Sequence, residues 1–120
     1  MKNKKFINSF KYAFNGIKLS LKNERNMKIH FSIMILVIIG GLLFKLNTFE
    51  WLECISCFAC VIGSEMFNTA IENLVDLKTK EKNEIAKIVK DISAGAVLIF
   101  AIRSIIVGFI IFIPKIINLL

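Results

Sequence analysis

Five polar residues share one face of an otherwise apolar stretch, E-M-F-N-T-A-I-E-N-L-V-D, at positions 65–76. At about 100° per residue, Glu65, Asn68, Thr69, Glu72 and Asp76 line up on a helix while Phe67, Ile71 and Leu74 point elsewhere. Glu65 and Glu72 lie seven residues apart, about 10 Å along such a helix and nearly in register around it. A carboxylate carried into lipid costs roughly 2.5–3.5 kcal/mol on insertion scales, so it ordinarily faces a protein interior or a hydrated site that uses it. One acid can then hold a metal near the aqueous boundary while the other acts deeper as a base. A plainer polar seam between helices is usually built from Ser, Thr or Asn rather than from two glutamates. The acidic face reads as the working part of a membrane enzyme or transporter.

The elements that carry this face follow from composition. The chain has 120 residues, 56% of them hydrophobic, and its mean hydropathy is +0.68, more apolar surface than a soluble domain of this size can cover. Apolar runs at 29–46, 51–75 and 92–114 reach roughly 27, 37 and 34 Å as helices, against a hydrocarbon core of about 30 Å. No alternating pattern supports strands or a barrel. The expected fold is an all-α membrane protein, one domain over residues 1–120, with three transmembrane helices after an N-terminal region spanning 1–28. Within that region Phe6, Phe10, Ala13, Phe14, Ile17 and Leu21 recur at helical spacing, with Lys11, Lys18 and Lys22 available to water, so an amphipathic surface helix is expected over 6–24. Asn23 to Lys28 is expected to form the elbow into the first span, and Asn47-Thr48 the turn after it.

Charge sets the orientation. Residues 1–28 hold eight bases against Glu24 alone, and Lys78, Lys80, Lys82, Lys87 and Lys90 cluster between the second and third spans, whereas the turn at 47–50 has neither Lys nor Arg. Basic residues stay cytoplasmic, placing the N-terminus inside and the C-terminus outside. The basic N-terminus lacks the early apolar run and small-residue pattern of a cleaved signal. The net charge of +7 sits on span flanks, with no groove-reading motif, so anionic headgroups or a polyanionic ligand fit it and nucleic acid does not.

Other residues divide between chemistry and packing. Glu24 lies among Lys22, Arg25 and Lys28 near the same inner surface as Glu72, and two carboxylates with water and phosphate oxygens make a magnesium site. Lys90-Asp91 opens the third span, where a lysine can neutralise phosphate or simply flank the membrane. Cys54, Cys57 and Cys60 imitate a metal spacing but climb away from one another on a helix, so they read as packing residues without disulfides. His30 reads as an interfacial hydrogen-bonding residue. Arg103, midway along the third span, has no evident partner in the sequence, and an oligomer interface is one place to find it. Phosphate-loop, kinase-loop, metalloprotease and nucleophile-elbow motifs are all missing from the chain.

Three motifs carry a resemblance. E-M-F-N-T-A-I-E-N-L-V-D (65–76), K-D-I-S-A-G-A-V (90–97) and N-E-R-N-M-K-I-H (23–30) resemble the small integral-membrane lipid kinases of prokaryotes, the diacylglycerol kinases and their undecaprenol kinase relatives, over about residues 5–114. The resemblance implies a homotrimer with active sites shared between subunits, in the inner (cytoplasmic) membrane, using ATP and Mg2+. It implies Glu65 as the base for a lipid hydroxyl, Glu24 and Glu72 as metal ligands, and Asn68 as a positioning group. It implies nucleotide contacts at Lys90 and Asp91, ATP and lipid contacts at Tyr12 and Gly16, a phosphate contact at Lys5, and an adenosine side lined by Glu81, Lys82 and Asn83. Arg103 departs from the apolar residue that the family's pattern leads one to expect. N-E-R-N-M-K-I-H and I-I-F-I-P (110–114) resemble the Gram-positive branch, which implies undecaprenol as acceptor and a role in recycling the cell-wall lipid carrier. Diacylglycerol is the alternative acceptor. A small oligomeric transporter could also hide a glutamate, but it would need neither Glu24 nor Lys90-Asp91, and a structural subunit would need none of the acids.

Overall fold

The structure, a computed structural model, describes residues 2–120 as four helices: α1 (Lys2–Asn23), α2 (Arg25–Leu43), α3 (Thr48–Lys78) and α4 (Glu84–Leu119). Helices α2, α3 and α4 are each long and apolar enough to cross a bilayer. Each boundary has a local cause.

Between α1 and α2 only Glu24 leaves the helical range, at φ −107° and ψ 120°. Its N–H donates to the Ser20 carbonyl at 2.9 Å, closing α1, and its carbonyl accepts from the Lys28 N–H at 3.3 Å, opening α2. The broad elbow expected over 23–28 is therefore one residue wide. Nothing in 25–28 breaks a helix, and Met27, fully buried, anchors the first turn of α2.

After α2 the chain turns sharply. The Leu46 N–H reaches back to the Gly41 carbonyl at 3.1 Å while Lys45 takes φ 55°, the left-handed position that glycine usually fills in this helix ending. Asn47 then caps α3: its Oδ1 accepts from the Glu50 N–H at 2.8 Å, and Glu50 Oε1 accepts from the Asn47 N–H at 3.1 Å. Asn83 caps α4 in the same way, its Oδ1 accepting from the Ala86 N–H at 3.1 Å. Helix α4 runs through Pro114 to Leu119, beyond the run that the sequence ends at that proline, because proline removes one backbone bond and the residues around it stay apolar.

Helices α3 and α4 lie antiparallel with the most extensive packing in the molecule, and α2 packs on α3. Helix α1 touches α2 and α3. Helix α2 meets α4 through side chains: the Phe112 ring stands edge-on to Phe44, centroids 6.1 Å apart, and lies over Gly40. Leu46, Cys54 and Ile111 form a small core beside the α2–α3 turn, walled by Val37, Trp51, Phe58, Val107 and Phe112. Gly41 allows this approach, since a Cβ there would stand 2.6 Å from the Trp51 ring. Most other large apolar side chains, including Phe6, Phe10 and Phe14 of α1, are uncovered. A lipid-facing bundle needs no more core than this, because lipid and side chain are equally apolar.

Candidate active site

Helix α3 buries the deep end of its polar face, while Thr69 and Glu72 are half-buried and Asp76 is exposed. Glu65 is 2% exposed and Asn68 6%, while Phe67 and Leu74 lie open on other faces. A cleft of about 280 Å³ opens between Asn26 and His30 of α2, Glu65 and Asn68 of α3, and an aliphatic wall on α4 running from Ala94 to Ala101. Within it the His30 Nε2 stands 3.7 Å from Glu65 Oε2. No lysine or arginine forms an ion pair with Glu65, Glu72 or Glu24 among the described residues.

One turn along α3, the Asn68 amide donates to Glu72 Oε1 at 3.1 Å, tying the two polar levels together. The Oδ1 of Asn68 and the hydroxyl of Thr69 are buried without partners. A buried polar atom ordinarily has a partner, so these two mark places where a ligand or water completes the site. Thr69 also borders a second cleft, of about 360 Å³, formed where Gly16, Ser20 and Glu24 of the α1–α2 elbow face Asn73 and its neighbours on α3.

The structure thus gathers Glu65 and Asn68, linked to Glu72, and it places Gly16 with Glu24 in the adjoining cleft. Glu72 itself, with Lys5, Tyr12, Glu81, Lys82, Asn83, Lys90 and Asp91, lines neither cleft. Lys5 and Tyr12 are exposed on α1, Glu81 and Lys82 are exposed in the α3–α4 connection, and the Asn83 side chain is engaged as the α4 cap. Lys90 pairs with Asp76 of α3, and Asp91 pairs with Lys87, both at 2.6 Å. Nothing within this chain gathers three acidic, histidine or cysteine ligands around one point among the described residues. Magnesium generally takes one or two carboxylates, with phosphates and water completing its shell. Glu24 lines the second cleft and Glu72 accepts from Asn68, and neither forms an ion pair with lysine or arginine among the described residues, a donor set of that kind.

Three features exceed the sequence reading. His30 does not serve the interface alone but faces Glu65. The helical spacing of Asn26 and His30 places both beside that acid, a signal available in N-E-R-N-M-K-I-H. Arg103 finds its partner within the chain: Nη2 meets Glu53 Oε2 at 3.3 Å, and Nη1 donates to Cys57 Sγ at 3.0 Å. No subunit interface is needed to satisfy it. Cys57 is accordingly an acceptor as well as a packing residue, and all three cysteines are free.

A bundle of three span-length apolar helices, with a buried carboxylate in one cleft and orphaned polar atoms at that cleft and a second one, has the architecture of an enzyme that works inside a membrane. The chain belongs to the prokaryotic diacylglycerol kinase family, whose model matches residues 11–112. It is 40% identical over 111 residues to an undecaprenol kinase of Bacillus subtilis (strain 168), covering 92% of this chain and 90% of that one. A diacylglycerol kinase of Synechocystis sp. is 36% identical over 115 residues, 93% of this chain and 65% of its own length. One of Haemophilus influenzae is 32% identical over 94 residues, 78% and 79% of the two chains. The protein is a multi-pass membrane lipid kinase, with ATP as its co-substrate.

Proposed function

We propose that this enzyme phosphorylates undecaprenol, with diacylglycerol as the second reading, and that Glu65 is the base. The observation that carries the mechanism is a carboxylate 2% exposed, in a span-length helix, facing a cleft without a lysine or arginine partner. A lipid alcohol entering from the bilayer can reach that depth with its hydroxyl while its chain stays in lipid. Glu65 takes the hydroxyl proton as the oxygen attacks the γ-phosphorus and ADP leaves, and Asn68 holds the geometry. Phosphoryl transfer asks for little beyond this alignment and charge neutralisation.

Glu72 and Glu24 would hold magnesium, which neutralises the β- and γ-phosphate oxygens when ATP is bound. Lys90 and Asp91 exchange their present partners for the nucleotide, Lys5, Tyr12 and Gly16 of α1 contact ATP and lipid, and Glu81, Lys82 and Asn83 lie on the adenosine side. Basic flanks support an N-terminus and a 79–83 connection on the cytoplasmic face of the inner membrane, where ATP arrives. The uncovered phenylalanines of α1 support its lying on that surface. A homotrimer with sites shared between neighbours is supported by how little of each cleft one chain encloses.

Undecaprenol ranks first because the relative of that name matches this chain over nearly the whole length of both. The test is purified enzyme with labelled ATP and magnesium in detergent, offered undecaprenol or diacylglycerol in parallel. Label is expected in undecaprenyl phosphate at the higher kcat/KM. Preferential labelling of phosphatidic acid exchanges the two acceptors, and no label in either lipid overturns the proposal.

A further inference from the structure

Transfer to an alcohol leaves a proton behind. The acceptor O–H bond breaks, an O–P bond forms at the γ-phosphorus, and the bond to ADP breaks with its electron pair leaving on ADP. Glu65, having taken the proton, must lose it before the next turnover. At 2% exposure its carboxyl has almost no contact with water.

His30 is the chain's one histidine, and its Nε2 stands 3.7 Å from Glu65 Oε2. That separation lies just beyond hydrogen-bond length, and catalytic pairs in ligand-free enzymes commonly tighten when substrate binds. The imidazole side chain is 19% exposed, so it reaches surface that the acid does not. Little else competes for it. Asn26 on its own helix and Asn68 on α3 are neutral, and the α4 wall from Ala94 to Ala101 carries no ionisable group. Imidazole can accept a proton on one nitrogen and release another from the second, which suits it to carry protons near neutral pH.

We infer that His30 is the proton-exit partner of Glu65, a positioning residue whose imidazole, carrying its hydrogen on Nδ1, takes the carboxyl's proton on Nε2 and releases the one on Nδ1 to water. The inference rests on the reading of Glu65 as base. With Oε2 turned to the imidazole, Oε1 is the oxygen left for the lipid hydroxyl, and rotation of the carboxyl about its Cγ–Cδ bond then carries the proton it gains to Nε2. No oxidant or further reactant enters, and the proton released equals the proton taken.

The experiment compares His30→Ala and His30→Gln with the natural enzyme, on whichever of undecaprenol or diacylglycerol that enzyme phosphorylates. Glutamine can steady a carboxylate but cannot relay a proton, so both variants are expected to lose about tenfold or more in kcat, with KM for ATP and lipid little changed. Free imidazole should restore His30→Ala in a saturable way, because the deleted ring leaves a space of its own shape beside Glu65. It should leave His30→Gln low. Natural turnover in His30→Gln overturns the inference, as does a folded His30→Ala that imidazole fails to raise. Should His30→Ala not fold, His30→Gln decides alone: a reduced kcat at natural KM and Tm supports the relay. If His30 variants run normally while Glu65→Gln is inactive, the proton exit falls and the base stands. If Glu65→Gln itself turns over normally, the base falls and takes the exit with it.

Discussion

Two stretches of helix α3, 50–53 and 65–72, treat negative charge in opposite ways, and beyond them Asp76 again pairs with Lys90 of α4. Near the α2–α3 turn each acid meets a base on α4: Glu50 Oε2 accepts from Lys115 Nζ at 2.7 Å, and Glu53 meets Arg103 at 3.3 Å. Glu50 also closes the capping box of its own helix. Further along, Glu65 faces an imidazole and Glu72 an amide, and neither forms an ion pair with lysine or arginine among the described residues. A pair satisfied within the chain fastens two helices and has nothing left to offer a ligand. An acid left without a cation keeps its capacity to hold a metal or take a proton. Within the apolar body of helix α3, the acids left without a cation are the ones free to hold a metal or take a proton.

The sharpest way to break this contrast is to remove charges from each stretch in turn. Glu65→Gln should lower kcat at least about a hundredfold while folding and ATP binding persist, as single-turnover transfer and equilibrium binding would report. Near-normal turnover would remove Glu65 as the base. Glu72→Gln should raise the magnesium needed for half-maximal rate by at least about tenfold, and an unchanged magnesium titration would refute its metal role. In the paired stretch the effect should fall on stability instead. Arg103→Leu leaves Glu53 unpaired and should lower the Tm in detergent, whereas the double variant with Glu53→Leu should recover part of it, a coupling of roughly 0.5–3 kcal/mol. Activity per folded molecule should hold in the double variant, and its collapse would mean that the ion pair reaches the chemistry. Gly41→Ala, pressed against the Trp51 ring, should destabilise by about 1–3 kcal/mol without altering KM for either substrate.

The sequence made the acidic face legible because helix periodicity is local, and five polar positions in an apolar run leave one arrangement. The span-length helices were legible for the same reason. What escaped was long-range or backbone-borne. Glu53 lies fifty residues from Arg103, and no local pattern joins them. His30 and Glu65 belong to helices whose relative rotation only packing fixes. Lys45 occupies a glycine-like conformation that no glycine announces, and Glu24 breaks the helix without Gly or Pro beside it. The nucleotide-side residues inferred by resemblance are brought into neither cleft by one chain, which follows if a neighbouring subunit completes the site.

Glu24 carries one further consequence. It is the lone joint between two rods, so any change in their mutual angle is taken up by its φ and ψ, and its carboxylate swings with them. Tilting α1 against α2 therefore re-aims that acid. Engineering that lengthens the joint by even a single residue would uncouple the rod's inclination from the acid's heading, two quantities that the native chain has soldered into one.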